Sequence, residues 1–164
     1  MKSKMEDRDL SLEFKTLVKE VVFPIFQEYG FKKNGNNFYR DINGIGQAIN
    51  VQQSHWNTKD DKSFVFNFDL IDKEIYAEIH KKNLPKFPKE YDCEIRLRLG
   101  NLMNKGDYWY NLSPQIDFLN IKEIIHQDLK TFAIPFIEKY SDPKKWLEFF
   151  EWEYEPPRSP LENF

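Results

Sequence analysis

The segment 63–70 alternates between apolar and polar side chains over most of its length. Its large apolar residues recur at every second position, so in an extended strand they share one face: Phe64, Phe66, Phe68 and Leu70. Leaving the three rings in water would forgo about 5–9 kcal/mol, while a whole domain is stable by only about 5–15 kcal/mol. We therefore predict that a second layer of structure covers this face.

Other segments also have the pattern of strands. Asn37–Ile42 and Gly46–Ser54 flank Asn43-Gly44, the commonest signal for a two-residue hairpin turn. Cys93–Gly100 alternates apolar and polar residues and predicts a fourth strand, and Asp107–Leu112 a short fifth one. The segment 30–35 has the composition of a turn. The pattern thus predicts a sheet of four to five strands.

Two long segments have apolar residues at steps of three and four, which is typical of amphipathic helices. The first extends from Leu10 to Tyr29 and the second from Phe118 to Tyr140. Each contains a proline, Pro24 or Pro135, which should kink or break the helix near it. Gly30 supplies a stop for the first helix.

Two shorter helices are also predicted. Asp72–Lys82 has a capping residue at its start and a stripe formed by Ile71, Ile75 and Ile79. Ser141-Asp142-Pro143 restarts a helix after the second long one, with Asp142 as the cap and the proline in the first turn.

The order of these elements predicts an α+β domain. Its antiparallel sheet of four to five strands would carry the N-terminal and C-terminal helices on the phenylalanine face. We expect a single domain over residues 1–150. Residues 151–164 contain three prolines and predict an irregular C-terminal tail.

Charge and composition narrow the possible functions. The chain has 24 basic and 27 acidic side chains, a formal charge of −3, which argues against a general nucleic-acid binder. Its one local basic patch is Lys81–Lys89. No apolar run approaches the roughly 20 residues of a membrane span, and Cys93, the only cysteine, fits a reducing compartment. We expect a cytoplasmic protein of unknown oligomeric state.

No motif for catalysis or metal binding stands out. His55, His80 and His126 are far apart in the sequence and have no partner at metal-ligand spacing. Cys93 shares its parity with core residues, where thiols are usually inert. We therefore predict no catalytic residue, no metal and no cofactor, and we favour a protein that is not an enzyme.

The face of the sheet opposite the phenylalanines is the first candidate site. If the second to fourth strands are neighbours, this face presents Asn50, Gln52, Ser54, Asn67, Asp69, Arg96 and Arg98. Two arginines about 7 Å apart could bind an anion through their planar guanidinium groups. Alternatively the face is solvated, and Arg96 and Arg98 pair across strands with Asp69, Asp41 or Glu94.

The second candidate is aromatic. His55 and Trp56 follow the second strand, and Trp109 lies in an aromatic run near another polar turn. If they converge at one end of the sheet, they could form a pocket or a protein-binding patch, because tryptophan is favoured at interface hot spots. The alternative is that both tryptophans pack at the edge of the core.

Several short motifs, in this order along the chain, resemble one bacterial family, known as domain of unknown function 4304. They are Gly30-Phe31-Lys32-Lys33, Asn37-Phe38-Tyr39-Arg40, Gln52-Gln53-Ser54, the phenylalanine-rich strand, Arg98-Leu99-Gly100-Asn101-Leu102 and Trp109. The resemblance covers roughly residues 10–140. It implies a small bacterial cytoplasmic α+β domain and brings no activity or site residue with it.

Two hypotheses on function follow. The first is a protein-binding module that is not an enzyme, for instance an immunity-type inhibitor of a toxin. The alternative is a binder of a small anionic ligand, or a hydrolase, in which Arg96 and Arg98 hold the ligand. Asp69 would then be the base and His55 its acid–base partner.

Overall fold

The computed structural model describes residues 8–83, 85, 88 and 95–148, and the statements below concern that part of the chain. Two long helices, residues 10–27 and 118–139, pack on one face of a six-stranded antiparallel sheet. We call the face they cover the core face and the opposite one the second face. The predicted α+β class, with N-terminal and C-terminal helices on an antiparallel sheet, is confirmed.

The helices are α1 (Leu10–Leu17), α2 (Phe23–Gln27), α3 (Lys73–His80), α4 (Leu99–Leu102), α5 (Phe118–Asp128), α6 (Ile134–Lys139) and α7 (Pro143–Glu148). The strands are β1 (Lys32–Asn34), β2 (Asn37–Ile42), β3 (Ile45–Gln53), β4 (Lys62–Asp72), β5 (Ile95–Arg98) and β6 (Tyr110–Leu112). Two π-helical turns, Val18–Val22 and Leu129–Ala133, join α1 to α2 and α5 to α6.

Both long helices change their hydrogen bonding just before the proline that was expected to disturb them. Pro24 and Pro135 each lie in the first turn of the α-helical segment that follows a π-turn. A proline has no N–H, and its ring clashes with the carbonyl group four residues earlier. The wider π-turn accommodates both effects without ending the helix.

The strand order is β1-β2-β3-β4-β5, and β6 also pairs with β4. The turn between β2 and β3 has positive φ at both Asn43 and Gly44, so the predicted tight hairpin is confirmed. The sheet has one strand more than the upper predicted count, because the segment read as a turn contains β1. This strand is short and pairs Lys32 with Tyr39.

Strand β5 ends earlier than its alternating pattern predicted. Leu99 and Gly100 belong to α4, where the chain turns away from the sheet. A Cβ atom on Gly100 would lie 2.0 Å from the carbonyl oxygen of Gly106, so this close approach requires glycine. After α4 the chain returns to the same edge of β4 as β6.

The core lies between the long helices and the core face of the sheet, and rings supply much of it. The predicted stripe of β4 is fully buried there: Phe64, Phe66, Phe68 and Leu70. Phe14 of α1 packs edge-on against Phe64, with ring centroids 5.2 Å apart. The helices are thus the layer that the alternating pattern required.

Helix α3 begins where predicted, since Asp72 accepts hydrogen bonds from the backbone N–H groups of Glu74 and Ile75. Its buried side agrees with the predicted stripe only in part. Ile71 is buried and Ile75 packs half-buried against the core, whereas Ile79 is 64% exposed. Tyr76, which lies outside the stripe, is the buried residue of this helix.

The last described helix, α7, starts at Pro143, and Asp142 accepts from the N–H of Lys144, as predicted. The predicted strand residue Cys93 and the predicted tail, residues 151–164, lie outside the described residues. In the described part no helix is both long and apolar enough to cross a lipid bilayer. Nor does that part contain three His, Cys, Asp or Glu side chains grouped to hold a metal ion.

Candidate functional site

A row of polar side chains crosses four strands on the second face. The register places Asn37 opposite Asn50, Asn50 opposite Asn67, and Asn67 opposite Arg98. Residues directly opposite each other in a sheet share a face, so the four side chains form one line, which we call the polar row. The predicted site residues Asn67 and Arg98 are therefore neighbours.

Hydrogen bonds along the polar row run in one direction. Asn50 Nδ2 donates to Asn37 Oδ1 at 2.7 Å. Asn67 Nδ2 donates to Asn50 Oδ1 at 3.3 Å and to Gln52 Oε1 at 3.0 Å. The other end of the Asn67 amide, Oδ1, is buried and accepts no hydrogen bond from any described residue.

The centre of the second face is covered, so the interpretation of this face as solvated is wrong there. Asn67 is 0% exposed and Asp69 1% exposed. Val65 and Ile71 are also buried on this face, although they do not belong to the core under the long helices. Helix α3 starts beside it, since Lys73 forms an ion pair with Asp41, which faces the same side.

The two arginines predicted to bind an anion have different surroundings. Arg96 lies opposite Asp69 in the register, and its side chain is outside the described part. The guanidinium of Arg98 pairs with Asp107 and lies over the ring of Trp109, 5.2 Å from its centroid. Trp109 Nε1 also donates to Asp107 Oδ1 at 3.1 Å.

The predicted residues Arg98 and Trp109 are thus brought together, and Asp107 joins them. Sequence reasoning offered Asp69, Asp41 or Glu94 as ion-pair partners and missed Asp107. The reason is that Asp107 lies after α4, in a segment whose return to the sheet edge the sequence pattern does not reveal. An arginine engaged by a carboxylate and a ring is poorly available to an anionic ligand.

The predicted residues His55 and Trp56 lie elsewhere, in the loop between β3 and β4. Both are exposed, and Trp56 is 90% exposed, the largest value among the big apolar side chains described. Within the described residues Trp56 makes no ring contact with Trp109. Core packing is therefore wrong for Trp56, while Trp109 is half-buried beside Arg98.

The loop that carries Trp56 is held by its own hydrogen bonds, and we call residues 54–61 the hairpin tip. The Asn57 side chain spans it, accepting from Ser63 N at 2.7 Å and donating to Ser63 O at 3.0 Å. Trp56 N donates to Ser54 Oγ at 3.1 Å, and Thr58 N donates to Asp61 O at 2.9 Å. An exposed ring is thus presented on an ordered loop.

A second polar cluster, which sequence reasoning missed, lies buried on the core face. Arg40 Nε donates to Gln47 Oε1 at 2.7 Å, and Gln47 Nε2 donates to the carbonyl oxygen of Ile137 at 2.8 Å. The guanidinium also donates to the carbonyl oxygens of Tyr29 and Ile137, at 2.8 and 3.2 Å. Burial lowers the pKa of Arg40, and Glu138 opposes that shift.

The position of Arg40 follows from the direction of the two long helices. Arg8, before the first helix, donates to the carbonyl oxygen of Ile116, before the second. Glu28, at the other end of the first helix, lies 4.0 Å from Lys130 of the second. The helices therefore run parallel, and Arg40 lies where their negative C-terminal poles and unsatisfied carbonyl groups meet.

A signal for this cluster existed in the sequence. Arg40 has the parity of Phe38, and Gln47 has the parity of Ile49, so both were predictable on the core face. Two polar residues at core positions of one hairpin indicate a buried polar pair. The cluster is structural in character, since every described contact of Arg40 is within the fold.

None of the predicted site residues lines either of two grooves in the described part of the chain. One, of about 750 Å³, lies beside the β2–β3 turn and the start of α3. The other, of about 400 Å³, lies between the two long helices.

The structure is an antiparallel α+β domain in which the centre of the second face is buried and the hairpin tip exposes Trp56. A family model described as Domain of unknown function (DUF4304) matches residues 21–139. The chain belongs to this family, as its motifs indicated. Neither the curated proteins nor the solved structures contain a significant match.

Proposed function

We propose that the protein is a binding module that is not an enzyme, and that it contacts a partner protein through the hairpin tip. The observation that supports this most directly is the 90% exposure of Trp56 on that loop. A tryptophan buries about 150–250 Å² when covered. At about 25 cal/mol per Å² this amounts to roughly 4–6 kcal/mol, before the costs of association are subtracted.

The order of the loop favours binding further. Asn57 bridges the backbone of Ser63, and Asn111 of β6 donates to Asp61. A loop held in this way loses little conformational entropy when a partner covers it. A flexible loop with the same tryptophan would lose part of the gain from burial in ordering.

An immunity-type inhibitor is one form of this proposal. Such a protein binds a toxin and blocks it, and a rigid protruding loop with an aromatic anchor suits insertion into a concave site. In that form the partner would be harmful to the cell when it is produced without this protein.

The alternative, an anionic-ligand site or a hydrolase on the second face, has weaker support. Arg98 is already paired with Asp107. His55 lies beyond Gln53, which is opposite Phe64, so His55 and Asp69 are separated by at least five strand positions, about 17 Å. A base and an acid that far apart cannot share one substrate proton.

The test is affinity purification from cells of the source organism, with tagged wild-type protein and two variants. Trp56→Ala removes the anchor, and Ile79→Ala, which changes another exposed apolar side chain on α3, is the matched control. We expect a stoichiometric partner with wild type and with Ile79→Ala, and at least about tenfold less with Trp56→Ala.

The proposal is contradicted if no stoichiometric partner is recovered with soluble wild-type bait. It is also contradicted if the Trp56→Ala variant retains the partner as well as wild type does.

A further inference from the structure

The groove between the two long helices has an apolar floor that is open to solvent. Val21, Pro24 and Ile25 of the first helix form it, and Leu119 of the second helix, which is 69% exposed, stands beside it. The volume of the groove is about 400 Å³. Leu119 points its side chain into solvent at one rim, which is unfavourable for an isolated domain.

The two walls of this groove carry opposite charges. Glu20 and Glu28 stand on the first helix, and Lys122, His126 and Lys130 on the second. Glu123 is the one acid on the second wall. A surface that covers the groove must therefore present basic groups over the first helix and acidic groups over the second.

We propose that a second copy of this chain covers the groove, forming a two-fold symmetric dimer through the outer face of the two long helices. The helices run parallel, so a two-fold axis along the groove places the acidic wall of each copy over the basic wall of the other. Residues at the same height along the helices then face each other. The pair formed by Glu28 and Lys130 within one copy, 4.0 Å apart, lies against the same pair of the second copy, so that the four charges alternate in sign. Leu119 is buried against the apolar floor.

This dimer is independent of the proposed binding function. Its surface is formed by the long helices, whereas the hairpin tip connects β3 and β4. Each copy carries a formal charge of −3, so the copies repel each other overall. The association therefore depends on the local complementarity of the walls, and high salt should weaken it.

The experiment is sedimentation velocity of the full chain over the micromolar range. Leu119→Glu places a charge in the groove, and Leu12→Glu is the matched control, because Leu12 is a similarly exposed leucine (61%) in the first turn of α1, outside the groove. We expect dimers for wild type and for Leu12→Glu, and a dissociation constant at least about tenfold higher for Leu119→Glu.

A charge-reversal set tests the orientation of the two copies. Glu28→Lys or Lys130→Glu alone should weaken the dimer, and the double variant should restore it. A wild-type monomer at every concentration overturns the proposal, including the case in which a different protein fills the groove. Equal effects of Leu119→Glu and Leu12→Glu overturn it as well, and circular dichroism verifies that the variants are folded.

Discussion

Each face of the sheet carries a cluster of buried polar side chains, and the two clusters satisfy their hydrogen bonds to different degrees. On the core face, the Arg40 guanidinium donates through all three nitrogens, and Gln47 uses both ends of its amide. On the second face, the chain of hydrogen bonds along the polar row stops at Asn67, whose Oδ1 is buried and accepts no hydrogen bond from the described residues.

The difference shows two ways in which a polar group can be placed inside a small domain. Arg40 lies where both long helices end, and without it the carbonyl group of Tyr29 would lose this donor while that of Ile137 would keep only Gln47. Its contacts fix how the helices sit on the sheet. Asn67 links neighbouring strands of one sheet, and its own side-chain oxygen stays without a donor among the described residues. Its contribution to stability is therefore smaller and more local.

The strongest test of this comparison is to remove the buried cation. Arg40→Met should lower the free energy of unfolding by about 3–5 kcal/mol, because the carbonyl groups of Tyr29 and Ile137 and the side-chain oxygen of Gln47 each lose a charged donor. Urea denaturation followed by circular dichroism measures the change.

Arg40→Lys is the control for charge alone. It keeps the cation but cannot reproduce the planar fork, so we expect a loss smaller than that of Arg40→Met and still above about 1 kcal/mol. If Arg40→Met unfolds at the wild-type urea concentration, the guanidinium does not anchor the helices.

The second test replaces one amide of the polar row with a carboxylate. Asn67→Asp replaces a donor with an acceptor facing Asn50 Oδ1 and Gln52 Oε1, and should cost about 2–3 kcal/mol at pH 7. Burial should raise the pKa of the new carboxyl group. Its protonated form can donate, so the deficit should shrink as the pH falls from 7 toward about 4.

Asn37→Asp is the matched control for the direction of the row. Its oxygen already accepts from Asn50, so this change should alter the free energy of unfolding by no more than about 0.5 kcal/mol. Equal losses of stability in Asn67→Asp and Asn37→Asp would mean that the hydrogen bonds of the polar row have no fixed direction.

The smallest effect is expected at the core contact between a helix and β6. The hydroxyl group of Tyr110 donates to Asp128 Oδ2 at 2.7 Å. The pKa of Tyr110 is raised, mainly by burial and to a smaller extent by this hydrogen bond. Tyr110→Phe should cost about 1 kcal/mol at neutral pH. Thermal unfolding monitored by circular dichroism measures it.

The pH dependence of that variant has a defined sign. Because the folded-state pKa lies above the unfolded value of about 10, the stability from Tyr110 is complete below pH 10 and is lost as the pH rises above it. The stability difference between wild type and Tyr110→Phe should therefore narrow above pH 10. A constant difference would contradict the raised pKa.

Much of the architecture was predictable because period and parity are local properties. Steps of three and four residues located both long helices, and alternation placed Phe64 and Phe66 on the core face. The same parity put Asn67 and Arg98 on the second face, where the structure has them side by side. The pattern predicts on which face of the sheet a residue lies.

Whether that side is covered is a property of the whole fold. Asn67 is buried and Trp56 is exposed, although polarity alone favours the opposite, because burial depends on segments far away in the sequence. Asp107 reaches Arg98 only because α4 turns the chain back to the sheet edge. Arg40 meets both helix ends only because the helices are parallel. Sequence alone determined both long helices and the faces of the main strands, whereas long-range packing decided where β5 ends and which polar groups are enclosed.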